Sequence, residues 1–124
     1  MFYEISQNNS GGSFDVDDKI CHRLFIEADN IDDAISKAED IGCYWDGVSS
    51  GLDCPCCGDR WSTPWDDDGL DLVKLSKSYK QKFNSIEDYA QLLADKYGWT
   101  KPDGRIFYKN GDITEIFSNR NPLP

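Results

Sequence analysis

Hydrophobic and polar positions along the chain recur at two different spacings, and the changes between them mark out the elements. Tyr3 to Gln7 reads as a short first strand, followed by Asn8-Asn9-Ser10-Gly11-Gly12-Ser13, a loop whose Gly and Asn residues tolerate positive φ. Residues 19–28 alternate with period two and predict a second strand. Ile20, His22, Leu24, Ile26 and Ala28 share one face, and Cys21, Arg23, Phe25 and Glu27 the other. Asp29 or Asn30 can then cap a helix in which Ile31, Ala34, Ile35, Ala38 and Ile41 recur at helical spacing, and Gly42 is a natural stop.

From Cys43 to Asp71 the periodicity fails, and a long loop is expected. Such loops are usually functional, disordered or clamped by a ligand. Leu70, Leu72 and Leu75 hint at a strand or short helix after it. Ser85-Ile86-Glu87-Asp88 resembles a capping box with Asp in place of Glu, and opens a helix with the apolar stripe Ile86, Tyr89, Ala90, Leu93 and Tyr97. Residues 105–109 and 112–117 flank Asn110-Gly111, the preferred pair for a type I′ hairpin turn. Residues 118–124 read as a loose tail. Four or five strands with two helices predict an α+β domain: a small, mainly antiparallel sheet, both helices on one face, and a long Cys/Trp-rich loop.

With 124 residues, the chain is expected to form a single domain, 1–124. Its net charge of −10 argues against direct nucleic-acid binding, which relies on Lys and Arg to displace counterions. The charge is also unevenly divided. Residues 1–72 hold 17 acids against four bases, whereas residues 73–124 hold six acids against nine bases. An acidic part can recruit a basic partner protein or simply keep the domain in solution. No apolar run is long enough to span a membrane and no secretion signal is read at Met1–Ile5, so the expected location is the cytoplasm.

All five cysteines fall in the acidic part, and an odd count there points to reduced or metal-bound thiols. Cys54-Pro55-Cys56-Cys57-Gly58 contains the Cys-x-x-Cys-Gly spacing of a zinc knuckle, which supplies half of a tetrahedral site through Cys54 and Cys57. Cys43, with Cys21 or His22, can complete a structural zinc set. His22 equally suits a hydrogen-bonded core position. Cysteine catalysis is disfavoured, because dense Asp raises a thiol pKa, and no enzyme activity is expected. Asp66-Asp67-Asp68 lacks the ligand alternation of a calcium loop. Trp45, Arg60, Trp61 and Trp65, with Asp66, Asp67 and Asp68, form either a satellite core over the cysteines or a contact patch for a partner.

At Tyr3–Phe14 and Cys54–Trp61, with Cys21-His22-Arg23 and Gly42-Cys43-Tyr44-Trp45-Asp46-Gly47, the sequence resembles small uncharacterised proteins encoded by large tailed phages of Gram-positive bacteria. The likeness covers roughly residues 2–65 and supplies no catalytic residues. It implies a small acidic protein acting in the host cytoplasm, by binding and disabling a host factor or a defence system. A sponge for a nucleotide immune signal and a structural zinc-knuckle interaction module are the competing expectations.

Overall fold

A computed structural model of the chain describes residues 1–64 and 67–119. Its strands are β1 (Phe2–Ser6), β2 (Arg23–Glu27), β3 (Gly104–Phe107) and β4 (Ile113–Ile116). Its helices are α1 (Ile31–Ile41), the single turn α2 (Gly47–Ser50), α3 (Leu72–Tyr79) and α4 (Ile86–Tyr97). The strands form one sheet in the order β1-β2-β3-β4. The β1/β2 and β3/β4 pairs are antiparallel, while β2 and β3 run parallel because the helical crossover returns the chain in the same direction. The domain is α+β, as the pattern predicts.

The two long helices, expected on one face, lie on opposite faces. The reason is visible in β2, where Leu24, Phe25 and Ile26 are all fully buried, so both of its sides need cover. On one side Ala34 and Ala38 of α1 let the helix come close to Tyr3, Ala28, Ile5, Leu24 and Ile26. On the other, α4 lays Ile86, Tyr89, Ala90, Leu93 and Ala94 against Phe25, Ile106 and Ile116. The stretch after residue 70 is a helix, α3, whose Leu72, Leu75 and Tyr79 pack at the margin of this second core.

The caps follow the sequence. Asn30 Oδ1 accepts from Asp33 N at 2.9 Å and Ser85 Oγ from Asp88 N at 3.4 Å. Asp88 Oδ2 accepts from Asn84 N at 2.9 Å, one residue before the position a full capping box would reach. Strand β2 begins at Arg23 rather than residue 19. Asp17 Oδ1 accepts from the amides of Lys19 and Ile20 at 2.7 and 2.6 Å, and the resulting turn occupies the start of the predicted strand. The hairpin turn also differs from type I′. Gly111 N donates to Tyr108 O at 3.0 Å and Tyr108 N to Asp112 O at 2.9 Å, with Gly111 at φ +97° and no positive φ at Asn110. This is the three-residue loop with one left-handed Gly, and Asn110 Oδ1 supports it by accepting from Asp112 N at 2.9 Å.

Candidate metal-binding turn

The segment after α2 is irregular in backbone yet densely bonded, and Asp53 and Arg60 organise it. Asp53 Oδ1 accepts from Tyr44 OH at 2.7 Å, and Asp53 Oδ2 from Arg60 N at 2.8 Å. The Arg60 guanidinium turns inward: Nη1 donates to Gln7 Oε1 and Ser13 O, both at 2.8 Å, and Nη2 to Ser10 O at 2.7 Å. Nε of Arg60 faces Asp15 Oδ2 at 3.3 Å and Asp53 Oδ1 at 3.8 Å. A single planar side chain thereby binds the loop to the segment that leaves β1. Beside it Trp61 bridges to Gln7 and is buried among Ile5, Cys21, Leu24, Ile26, Ala38 and Cys43.

On this platform stands the cysteine turn. The amides of Cys57 and Gly58 both donate to Cys54 O, at 3.1 and 3.0 Å, and Gly58 takes φ +89°, a conformation that favours glycine. Asn8 Nδ2 donates to Cys57 O at 2.7 Å and Cys54 N donates to Ser10 Oγ at 3.1 Å, so the Asn8–Ser13 loop pins the turn from the side. Three thiols consequently project together. Cys54 Sγ lies 2.8 Å from Cys56 Sγ, Cys56 Sγ 3.8 Å from Cys57 Sγ, and all three sulfurs are within 4.8 Å of one another. Cys56 and Cys57 are exposed and Cys54 is half-buried. Hydrogen bonding from Cys56 and from backbone amides holds the Cys54 thiol below its ordinary pKa, whereas donation toward Cys54 pushes Cys56 up to about 11. Cys54 is therefore the first of the pair to deprotonate. Three sulfurs at these separations can hold a metal ion.

The rest of the ligand set expected from the sequence is elsewhere. Among the described residues, the cluster that can hold a metal contains Cys56 with Cys54 and Cys57, and neither Cys21, Cys43 nor His22 joins it. Cys21 and Cys43 lie in the apolar core under α1, where burial pushes both thiols up to about 12. Cys21 Sγ donates to Arg23 O at 3.3 Å. His22 Nδ1 is 2.8 Å from Asp103 Oδ1, and the Arg23 guanidinium donates to Asp103 Oδ2 at 2.7 Å. Burial alone would raise the Asp103 carboxyl. The His22 and Trp99 N–H hydrogen bonds and the charges of His22 and Arg23 outweigh it and hold the pKa below the usual carboxylate value. His22 is thus the buried, bonded histidine that its apolar alternation allowed.

The partner patch is likewise redistributed. Arg60 and Trp61 are buried, at 9% and 1% exposure, so both belong to the loop's interior and neither offers a contact surface. Trp45 is half-buried and donates Nε1–H to Glu39 Oε2 at 2.7 Å. Asp67 and Asp68 are exposed, and Trp65 and Asp66 lie outside the described residues. Asp53, Gln7 and Asp103 carried no motif signal; for Cys56 the signal was present, in the adjacent thiols of Cys54-Pro55-Cys56-Cys57.

A separate concavity of about 540 Å³ runs beside β1, lined in part by Glu4, Ser6, His22, Arg23, Ser62 and Thr63. Burial raises the Glu4 carboxyl, although Tyr89 OH donates to it at 3.0 Å. A family description, a domain of unknown function (DUF7296), matches residues 1–122. No curated protein and no solved structure matches the chain.

Proposed function

This chain belongs to the DUF7296 family, and we propose that it is a non-enzymatic accessory protein, phage-encoded, that binds a basic surface on a host protein and disables it. One observation carries this reading. Of the four bases in residues 1–72, Arg23 and Arg60 are turned into the interior, and Lys37 pairs with Asp33 at 3.3 Å. The acids Asp32, Glu39, Asp40, Asp46, Asp67 and Asp68 remain exposed, so the surface of this part is more acidic than its composition. A surface of this kind imitates a phosphate array and steers onto basic clefts. A metal on the cysteine turn, zinc by the softness of its donors, would fix the loop beside that surface.

The test compares wild type with the triple variant Asp32→Asn/Glu39→Gln/Asp40→Asn as baits in host lysate. Proteins with basic surfaces should be retained by wild type at low salt, and released by the variant or by several hundred millimolar salt. Equal recovery by both baits, or nothing retained by wild type, would overturn the proposal.

The cavity beside β1 favours a second reading, a sponge for a nucleotide signal, because its volume suits a small polar ligand. Its cation Arg23 is already matched by Asp103, which weakens it as a phosphate site. Recovery of an unmodified nucleotide from denatured protein after incubation would favour the sponge over the inhibitor.

A further inference from the structure

Zinc bound structurally takes four protein ligands, and a site with three keeps its fourth position for something else. The cysteine turn offers three sulfurs. Among the described residues no further His, Cys, Asp or Glu stands within the same radius of all of them. The candidates that could complete the set are committed elsewhere: Cys21 and Cys43 inside the apolar core, His22 to Asp103. Asn8, Ser10 and the Cys54 carbonyl hold the turn's backbone, which prevents it from folding inward to reach them. Cys56 and Cys57 face solvent.

We infer that a metal held by Cys54, Cys56 and Cys57 presents an open coordination position to the outside, and that its natural occupant is a neutral nitrogen donor, the imidazole of a histidine on a partner. The inference rests on the metal reading of the turn and deepens it. The choice of donor follows from charge. Three thiolates around a divalent ion already leave the site with a net negative charge, and the half-buried Asp59 follows directly on the turn. A fourth thiolate would add another negative charge there, whereas imidazole adds none. A basic partner surface carrying one exposed histidine would be bound both by steering and by the metal.

The experiment loads the full, reduced chain with Co(II) under anaerobic conditions and follows its absorption. Thiolate-to-cobalt charge transfer in the near ultraviolet reports the three sulfurs, and the visible ligand-field band reports the fourth ligand. Imidazole is then titrated in, with 2-mercaptoethanol in a parallel arm. The ligand-field band should change along a saturating one-site curve with imidazole, at several-fold lower concentration than with the thiol, and identically in Cys21→Ser and Cys43→Ser. A band indifferent to both additives shows the position filled from within the chain and overturns the inference. Tighter response to the thiol overturns the choice of donor. No charge-transfer band at all removes the metal reading and this inference together, which keeps the two failures distinguishable.

Discussion

Arg60 Nη1 donates to Gln7 Oε1 at 2.8 Å across 53 residues of sequence, and with that bond the irregular loop becomes an extension of the sheet. Gln7 closes the end of β1 through its amide, which donates to His22 O at 2.7 Å. The residue whose side chain accepts from the arginine therefore also sits, through its backbone N–H, on the register of β1 with β2. Replacing Arg60 by Lys keeps the charge but loses the fork that serves Gln7, Ser13 and Ser10 together. Asp53 would keep the backbone N–H of residue 60, so the loss falls on the acceptors that the fork serves. The expected loss is about 1–3 kcal/mol, the scale for buried acceptors left unpaired, read as a lower midpoint in urea unfolding. A midpoint unchanged from wild type would mean that the loop holds itself without this anchor.

Gly47 tests the same network from another side. A Cβ placed there would stand 1.8 Å from Asp53 Oδ2 and 2.8 Å from the Tyr44 ring, with no room for either to move while Asp53 serves Tyr44 and Arg60. Gly47→Ala should destabilise by several kcal/mol, in the range of overpacking combined with a broken buried hydrogen bond. Thermal unfolding of this variant against Gly51→Ala separates the two causes. Gly51 has open space but φ +84°, so its cost is backbone strain alone and should be the smaller. A Gly47→Ala midpoint unchanged from wild type would show that Asp53 and Tyr44 yield to the methyl without cost.

Asp103 sets an acid limit. Its carboxyl pKa is lowered in the fold, so its ionised form stabilises the protein above the ordinary carboxylate value of 3.8, and that contribution is lost as pH falls through the lowered value. Asp103→Asn should cost about 3–5 kcal/mol at neutral pH, because the buried Arg23 guanidinium loses the carboxylate it donates to at 2.7 Å. Below about pH 4 the variant and wild type should converge. A constant difference between them from pH 7 to pH 3 would contradict the ion-pair account.

The extent to which these features were legible in the sequence follows the range of each interaction. Local signals carried α1, α4, their caps at Asn30 and Ser85, and the C-terminal hairpin, because periodicity and side-chain capping act within a few residues. The placing of α1 and α4 on opposite faces was not legible. It depends on β2 being central, which the alternation of Leu24 and Phe25 does not distinguish from a half-exposed strand. The Cys-x-x-Cys pattern points to Cys54 and Cys57, yet the turn's third sulfur comes from Cys56, a position that pattern skips. Arg60 and Trp61 look like surface hot-spot residues by type. Only the fold shows them buried, since Arg60's partners Gln7, Ser10 and Ser13 lie some fifty residues away and carry no motif of their own.

Zinc stoichiometry across single-cysteine variants tests the cysteine turn as a metal site most directly. Native mass spectrometry of reduced protein with one equivalent of zinc should show one ion per chain in wild type, Cys21→Ser and Cys43→Ser. Loss is expected in Cys54→Ser, Cys56→Ser and Cys57→Ser, and in wild type at acid pH where the thiolates take up protons. Zinc retained in all three turn variants, or lost on replacing Cys21, Cys43 or His22 instead, would contradict it.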